Sequence, residues 1–157
     1  MNNITYHFAT VNDIDLLIQS RIDFLEDYWG KQGNNEVDKL RPELFNYFSA
    51  IVPSGEYISV IAKHAGNLVG VGGVVLRSQP GSFKNPGGKI GHVMNMYTIP
   101  EFRRQGISSK ILTMLLDEAN KKGYKLFDLN ATKSGEPVYI KNGFYKHPEP
   151  TYRRFLD

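Results

Sequence analysis

At 157 residues, with 41% hydrophobic and 22% charged residues, the chain has the size and composition of one globular domain over residues 1–157. No apolar run reaches the roughly 20 residues that cross a bilayer. The start MNNITYHFATVND lacks the basic and apolar regions of a secretory signal, and there is no cysteine, which excludes disulfides, thiolate metal sites and cysteine nucleophiles. A cytoplasmic protein without membrane association is expected. The formal net charge of +3 comes from Lys and Arg scattered among acidic residues, the densest pair being Arg103 and Arg104, so no nucleic-acid partner is expected.

In chain order, ITYHFAT (4–10) reads as a short strand, with Asn12 or Asp13 as the cap of a following helix. Between Ile14 and Tyr28, the residues Ile14, Leu16, Leu17, Ile18, Ile22, Phe24 and Leu25 fit a helical period. The polar run KQGNNEVDK reads as a connection. A second helix is predicted over Arg41–Ala50, with Pro42 in its first turn, where a missing N–H costs nothing.

Residues 57–77 hold two apolar, β-rich segments either side of HAGN, a hairpin signal. Gly70, Gly72 and Gly73 interrupt the second segment and point to a bulge or a close approach. SQPGSFKNPGGK (78–89) reads as an exposed loop, and HVMNMYTI (92–99) as a strand ended by Pro100. Ile107, Ile111, Leu112, Leu115, Leu116 and Ala119 mark a helix, closed by Lys121, Lys122 and Gly123. KLFDLNAT (125–132) reads as a strand, GEPVYIKNGF as a short helix ending near Gly143, and FYKHPEPTYRRFL as one or two final strands. The expected order is β-α-α-β-β-β-α-β-α-β, a mixed α/β domain with no repeat and no linker.

YTIPEFRRQGISSKIL sets a strand, a proline break, a basic glycine-containing turn and a helix in succession. The first N–H groups of a helix have no partner within it and face outward at the positive end of the dipole, so this is an anion site. Gly106 lets the backbone approach a ligand, Arg103 and Arg104 add charge, and Ser108 and Ser109 offer hydroxyls. A pyrophosphate suits it. A solvated helix cap reads the same way, and neither G-x-x-x-x-G-K-[ST] nor an early G-x-G-x-x-G is present.

RRQGIS resembles the Arg/Gln-x-x-Gly-x-Gly/Ala signature of the GCN5-related N-acetyltransferase (GNAT) family, with Arg103, Gly106 and Ser108 at its three marked places. Ser108 departs from the usual Gly or Ala but is small. MYTIPEF is similar to the family's strand-then-proline entry. GEPVYIKNGF is similar to its late Leu-Tyr-x-Lys-x-Gly-Phe pattern, through Tyr139, Lys141, Gly143 and Phe144. The resemblance covers residues 57–147, and the N-terminal third only in its helix pattern.

The resemblance implies a mixed, mostly antiparallel sheet flanked by helices, with acetyl-CoA as cosubstrate and no metal. It implies an acetyl group passed directly to the primary amine of a small molecule or peptide. Backbone groups of Met96 and Thr98 would pair with the pantetheine arm, and the amides of Arg104, Gln105, Gly106, Ile107, Ser108 and Ser109 would hold the pyrophosphate. Asn130 would bond the cofactor arm, and Tyr139 would act as the acid that serves the departing thiolate. HVMNMYT lacks the glutamate many members use as a base, which leaves His92, Glu26, Asp27 or water. Arg21, Tyr28 and Trp29 are candidates to line the acceptor pocket, and a homodimer fits the family. Two rival readings are a catalytically inactive acyl-CoA sensor of the same fold and an interaction module driven by positive charge. The acceptor amine carries no signature of its own.

Overall fold

The computed structural model describes residues 3–157. Strand β1 (Ile4–Phe8) leads into helices α1 (Ile14–Trp29) and α2 (Asn34–Ser54). Strands β2 (Tyr57–His64), β3 (Asn67–Ser78) and β4 (Lys89–Thr98) follow, then α3 (Ile107–Lys121), β5 (Leu126–Asp128) and α4 (Glu136–Lys141). The five strands form one sheet in the order β1-β2-β3-β4-β5. The first three pairings are antiparallel and β4–β5 is parallel, so the sheet is mixed and mostly antiparallel.

The alternation of each strand sends side chains to two separate cores. On one face, Val60, Ala62, Val69, Val74 and Val93 pack against Ile107, Ile111, Leu112, Leu115 and Ala119 of α3. On the other, Tyr57, Ile61 and Val71 pack against Leu17, Ile18 and Ile22 of α1 and Phe48 of α2. Each buried Leu or Ile contributes about 1.5–3 kcal/mol of transfer free energy, so α3 is held by its apolar stripe.

Several local expectations are corrected. Asp13 does hold the cap position of α1, but its side chain makes no cap hydrogen bond to that helix. Thr10 accepts from the Asn12 N–H at 3.2 Å while Asp13 accepts from the Thr10 N–H at 2.9 Å, a reciprocal box around the 3-10 turn Val11–Asp13. Helix α2 begins at Asn34, so Pro42 lies inside it. Val37, Leu40, Leu44 and Phe48 carry the apolar stripe back through the polar run and seat that extra length on the core. Strand β5 spans Leu126–Asp128 alone, which leaves Asn130 beyond its end. Residues 144–157 form no strand, because Pro148 and Pro150 withdraw backbone donors within a segment that is exposed throughout from Tyr145.

The β2–β3 turn matches its signal. Ala65 and Gly66 have φ of 49° and 80°, as a two-residue primed turn requires. Gly72 and Gly73 serve close approach: a Cβ on Gly72 would stand 2.3 Å from Met96 Sδ, and one on Gly73 would stand 2.1 Å from the Tyr57 hydroxyl.

Candidate active site

Strands β4 and β5 pair through Ile90–Leu126, Gly91–Phe127 and His92–Asp128. There β5 ends, while β4 runs on to Thr98. The β4 edge from Val93 onward therefore has no strand beside it among the described residues. Such an edge offers main-chain donors and acceptors to an extended ligand.

β4 is irregular along the same stretch. Gly73 pairs with Met94 and Val71 with Tyr97, so Gly72 faces both Asn95 and Met96, a β-bulge. Asn95 takes φ of 58°, a left-handed conformation uncommon for any residue but glycine. Its side chain is buried on the α1 side of the sheet. There Oδ1 accepts from Arg21 Nη1 at 2.8 Å and Nδ2 donates to the Tyr57 hydroxyl at 3.0 Å. Burial pushes the Tyr57 phenol up to about 12, opposed by its bonds to Asn95 and Ser59. Met96 packs instead against the α3 core.

At the far end of the open edge stands the start of α3. Arg104 and Gly106 have φ of 60° and 80°, and alternating handedness of this kind turns successive N–H groups towards one side. The Lys110 N–H donates to the Gly106 carbonyl at 3.0 Å. The amides of Ile107, Ser108 and Ser109 therefore precede the helical ladder and are left for a ligand. A Cβ on Gly106 would meet nothing within 4 Å, so the glycine answers to its positive φ and not to crowding by the protein. Thr98 and Ser108 share a hydroxyl hydrogen bond of 2.9 Å that fastens the end of β4 to α3. Strained non-glycine backbone costs about 1–3 kcal/mol and collects at functional sites. Among the described residues, two of the three non-glycine residues with positive φ, Asn95 and Arg104, lie here.

The two arginines of the turn differ. Arg104 is exposed. Arg103 donates from Nε to the Thr98 carbonyl at 2.9 Å, pairs with Asp27 at 3.1 Å and lies over the Tyr97 ring. It thus clamps β4 to α1, and the Thr98 carbonyl is already engaged. Gln105 is exposed on the same turn and its side chain reaches the Glu101 carbonyl.

Tyr139 lies on α4 against the α3 core, with its ring 6.0 Å from that of Phe144. Burial pushes its phenol up to about 12, so it is protonated at neutral pH. α4 is joined to the start of α3 by Asn142, whose Nδ2 donates to Ser109 Oγ at 3.2 Å and to the Val138 carbonyl at 2.7 Å. Asn130 is exposed.

The base candidates also separate. His92 Nδ1 is 2.7 Å from Asp128 Oδ1, and Asp128 Oδ2 accepts from Arg77 Nη2 at 3.0 Å. This chain of three crosses β4, β5 and β3 where β4 and β5 part. Asp27 is taken by Arg103, and Glu26 accepts from the Gln32 N–H at 3.0 Å beyond the end of α1. Tyr28 and Trp29 are exposed and meet edge to face at 4.7 Å. Sequence reading missed Asn95, Tyr57, Asp128, Arg77 and Asn142. A lone Asn within the apolar run VMNMY was the one available signal.

A family model for the acetyltransferase (GNAT) domain matches residues 30–157. The chain belongs to the GNAT acetyltransferase family. A predicted acetyltransferase from Clostridium acetobutylicum, solved with acetyl-CoA, is 30% identical with a TM-score of 0.88, covering 97% of this chain and 96% of that one. A GCN5-related N-acetyltransferase from Ralstonia eutropha is 18% identical with a TM-score of 0.85, covering 97% and 99%. Glucosamine-6-phosphate N-acetyltransferase from Arabidopsis thaliana is 18% identical with a TM-score of 0.67, covering 97% and 99%. The last two show the fold alone. No curated protein matches the chain. Among the described residues, no helix is long and apolar enough to cross a membrane.

Proposed function

We propose that this chain, as a single domain, is an acetyl-CoA-dependent N-acetyltransferase that passes the acetyl group directly to a primary amine. The observation that carries this reading is the open β4 edge leading straight to the unpaired amides of Ile107, Ser108 and Ser109. An extended arm with a pyrophosphate at its end fits both features, the arm against the strand and the anion at the helix start. The Clostridium relative was solved with acetyl-CoA, which supports the same ligand here.

When bound, acetyl-CoA supplies an acetyl group activated as a thioester. Backbone groups of Met96 and the amides of Arg104 to Ser109 hold it, while Thr98 acts through its hydroxyl bond to Ser108, which fixes the strand against the helix. Asn130, exposed beyond β5, faces no strand partner and is assigned to the cofactor arm. With Asp128 accepting at Nδ1, the His92 imidazole keeps Nε2 free to take the proton that the attacking amine must lose. Tyr139 donates a hydrogen bond to the departing sulfur. A phenol at about 12 does not surrender its proton fully to a thiolate whose conjugate acid lies near 8.5. Its role is therefore to stabilise developing negative charge while retaining the proton.

Calorimetric titration with acetyl-CoA tests the reading, with dephospho-CoA and NAD as controls and Gly106→Glu as the matched variant. Saturable binding is expected for the native chain and its loss for the variant, because a carboxylate then stands at the anion site. Absence of binding at millimolar ligand would withdraw the enzyme assignment.

A further inference from the structure

Arg21 projects from α1 to the β4 bulge, on the sheet face opposite α3. It is partly buried, and its surroundings are neutral: the Asn95 amide at 2.8 Å, the Phe24 ring at 5.7 Å, and the phenols of Tyr47 and Tyr57. No carboxylate forms an ion pair with it among the described residues. The nearby acids of α1 are occupied elsewhere, Asp23 by Gln19 at 2.9 Å, Glu26 by the Gln32 N–H and Asp27 by Arg103. Desolvation draws the guanidinium below its usual range, and an arginine remains charged regardless. A cation held in this way, with one nitrogen bonded to Asn95 and four N–H donors in hand, is poised for a planar or tetrahedral oxyanion.

Its position decides which ligand that is. The pyrophosphate site lies at the start of α3, and the α3 core closes the other sheet face. Arg21 instead meets the bulge from the α1 side, the same side as Tyr57 and Met94. We propose that Arg21 binds an anionic group of the acceptor, so that the acetylated amine belongs to a molecule bearing a carboxylate or a phosphate near its amino group. This rests on the acetyltransferase reading above.

The test uses matched probes on the full chain. Lysine is compared with 1,5-diaminopentane for the carboxylate, and glucosamine 6-phosphate with glucosamine for the phosphate. Two readouts are taken: thiol release from acetyl-CoA, and calorimetric binding of each probe to the CoA-loaded protein. The anionic member of one pair is expected to be preferred by about 10–100-fold, the range of one or two charge-assisted hydrogen bonds. The pair that shows the preference identifies the anion. Arg21→Met is expected to reduce that preference to within about threefold while acetyl-CoA binds as before. A native protein that binds acetyl-CoA but favours neither anionic member in either readout overturns the proposal, and that result needs no variant to fold. Failure of acetyl-CoA itself to bind overturns the acetyltransferase reading instead.

Discussion

Asn142, at the end of α4, donates to Ser109 in the first turn of α3 at 3.2 Å. The helix that carries Tyr139 is thereby fastened to the first turn of α3, so one side chain links the proposed acid to the amides proposed to hold the pyrophosphate. Asn142→Ala removes this bond together with the one to the Val138 carbonyl. A loss of about 1–2 kcal/mol in unfolding free energy is expected from two such bonds. kcat should fall more than acetyl-CoA affinity, since the α3 amides stay in place while Tyr139 shifts. Urea denaturation and steady-state kinetics read the two effects; an unchanged kcat would show that α4 is positioned by its packing alone.

Tyr139→Phe keeps the ring that packs against Phe144 and removes the hydroxyl. If that hydroxyl stabilises the departing sulfur, kcat is expected to fall about 10–1000-fold, as for loss of one preorganised donor. The Kd for acetyl-CoA should stay within about twofold, because the ground-state thioester carries no charge at sulfur. A rate equal to that of the native chain would remove Tyr139 from the reaction.

Where the elements and their order were legible, long apolar periodicity carried the signal. Helix α3 was readable from Ile107, Ile111, Leu112, Leu115 and Ala119, all of which are buried. The turn from Arg103 to Gly106 was readable as a break before α3, because Pro100 and Gly106 punctuate the chain there, whereas its ligand was not, because a solvated helix cap carries the same residues. The start of α2 was hidden because Val37 and Leu40 sit among polar neighbours. The short β5 was hidden because Leu129 prolongs the apolar pattern past the point where pairing with β4 stops. The site residues that went unseen are those whose meaning lies in tertiary pairing. Arg77 and Asp128 lie far from the candidate His92 in sequence and meet it only because β3, β4 and β5 are neighbours. Asn95 acquires its place from a bulge that no local pattern announces.

The Arg77–Asp128–His92 chain makes a kinetic prediction. Groups facing the imidazole are the Asp128 carboxylate from β5 and, through it, the Arg77 guanidinium from β3. If His92 takes the proton of the amine, His92→Gln is expected to lower kcat/KM by about 10²–10⁴-fold near neutral pH. The deficit should narrow as pH rises, because a growing share of the amine arrives already deprotonated. Asp128→Asn should give a smaller loss with the same trend, since it disturbs the tautomer without removing the ring. A deficit that stays constant across pH would show that His92 positions substrate and does not take its proton.

Tyr57 gives the last prediction, and it concerns stability. Its phenol is buried beneath the β4 bulge, with the Asn95 amide donating to it and no room for a side chain on Gly73. Burial raises it from 10.0 to about 12. The folded state therefore holds this proton more tightly than the unfolded chain. The stability gained from the neutral phenol is fully present below about pH 10 and is lost as pH climbs through about 12. With one unit worth about 1.4 kcal/mol, Tyr57 alone contributes on the order of 3 kcal/mol to the alkaline loss. Urea midpoints should hardly change up to pH 9 on its account and should fall steeply between pH 10 and 12, with Tyr57→Phe flattening part of that slope. The same variant leaves the Asn95 amide without its acceptor and should loosen the bulge, so a lower midpoint at pH 7 is expected beside the flatter alkaline limb. An alkaline slope identical in the two proteins would mean that the Tyr57 phenol titrates in the folded state as it does in the unfolded chain.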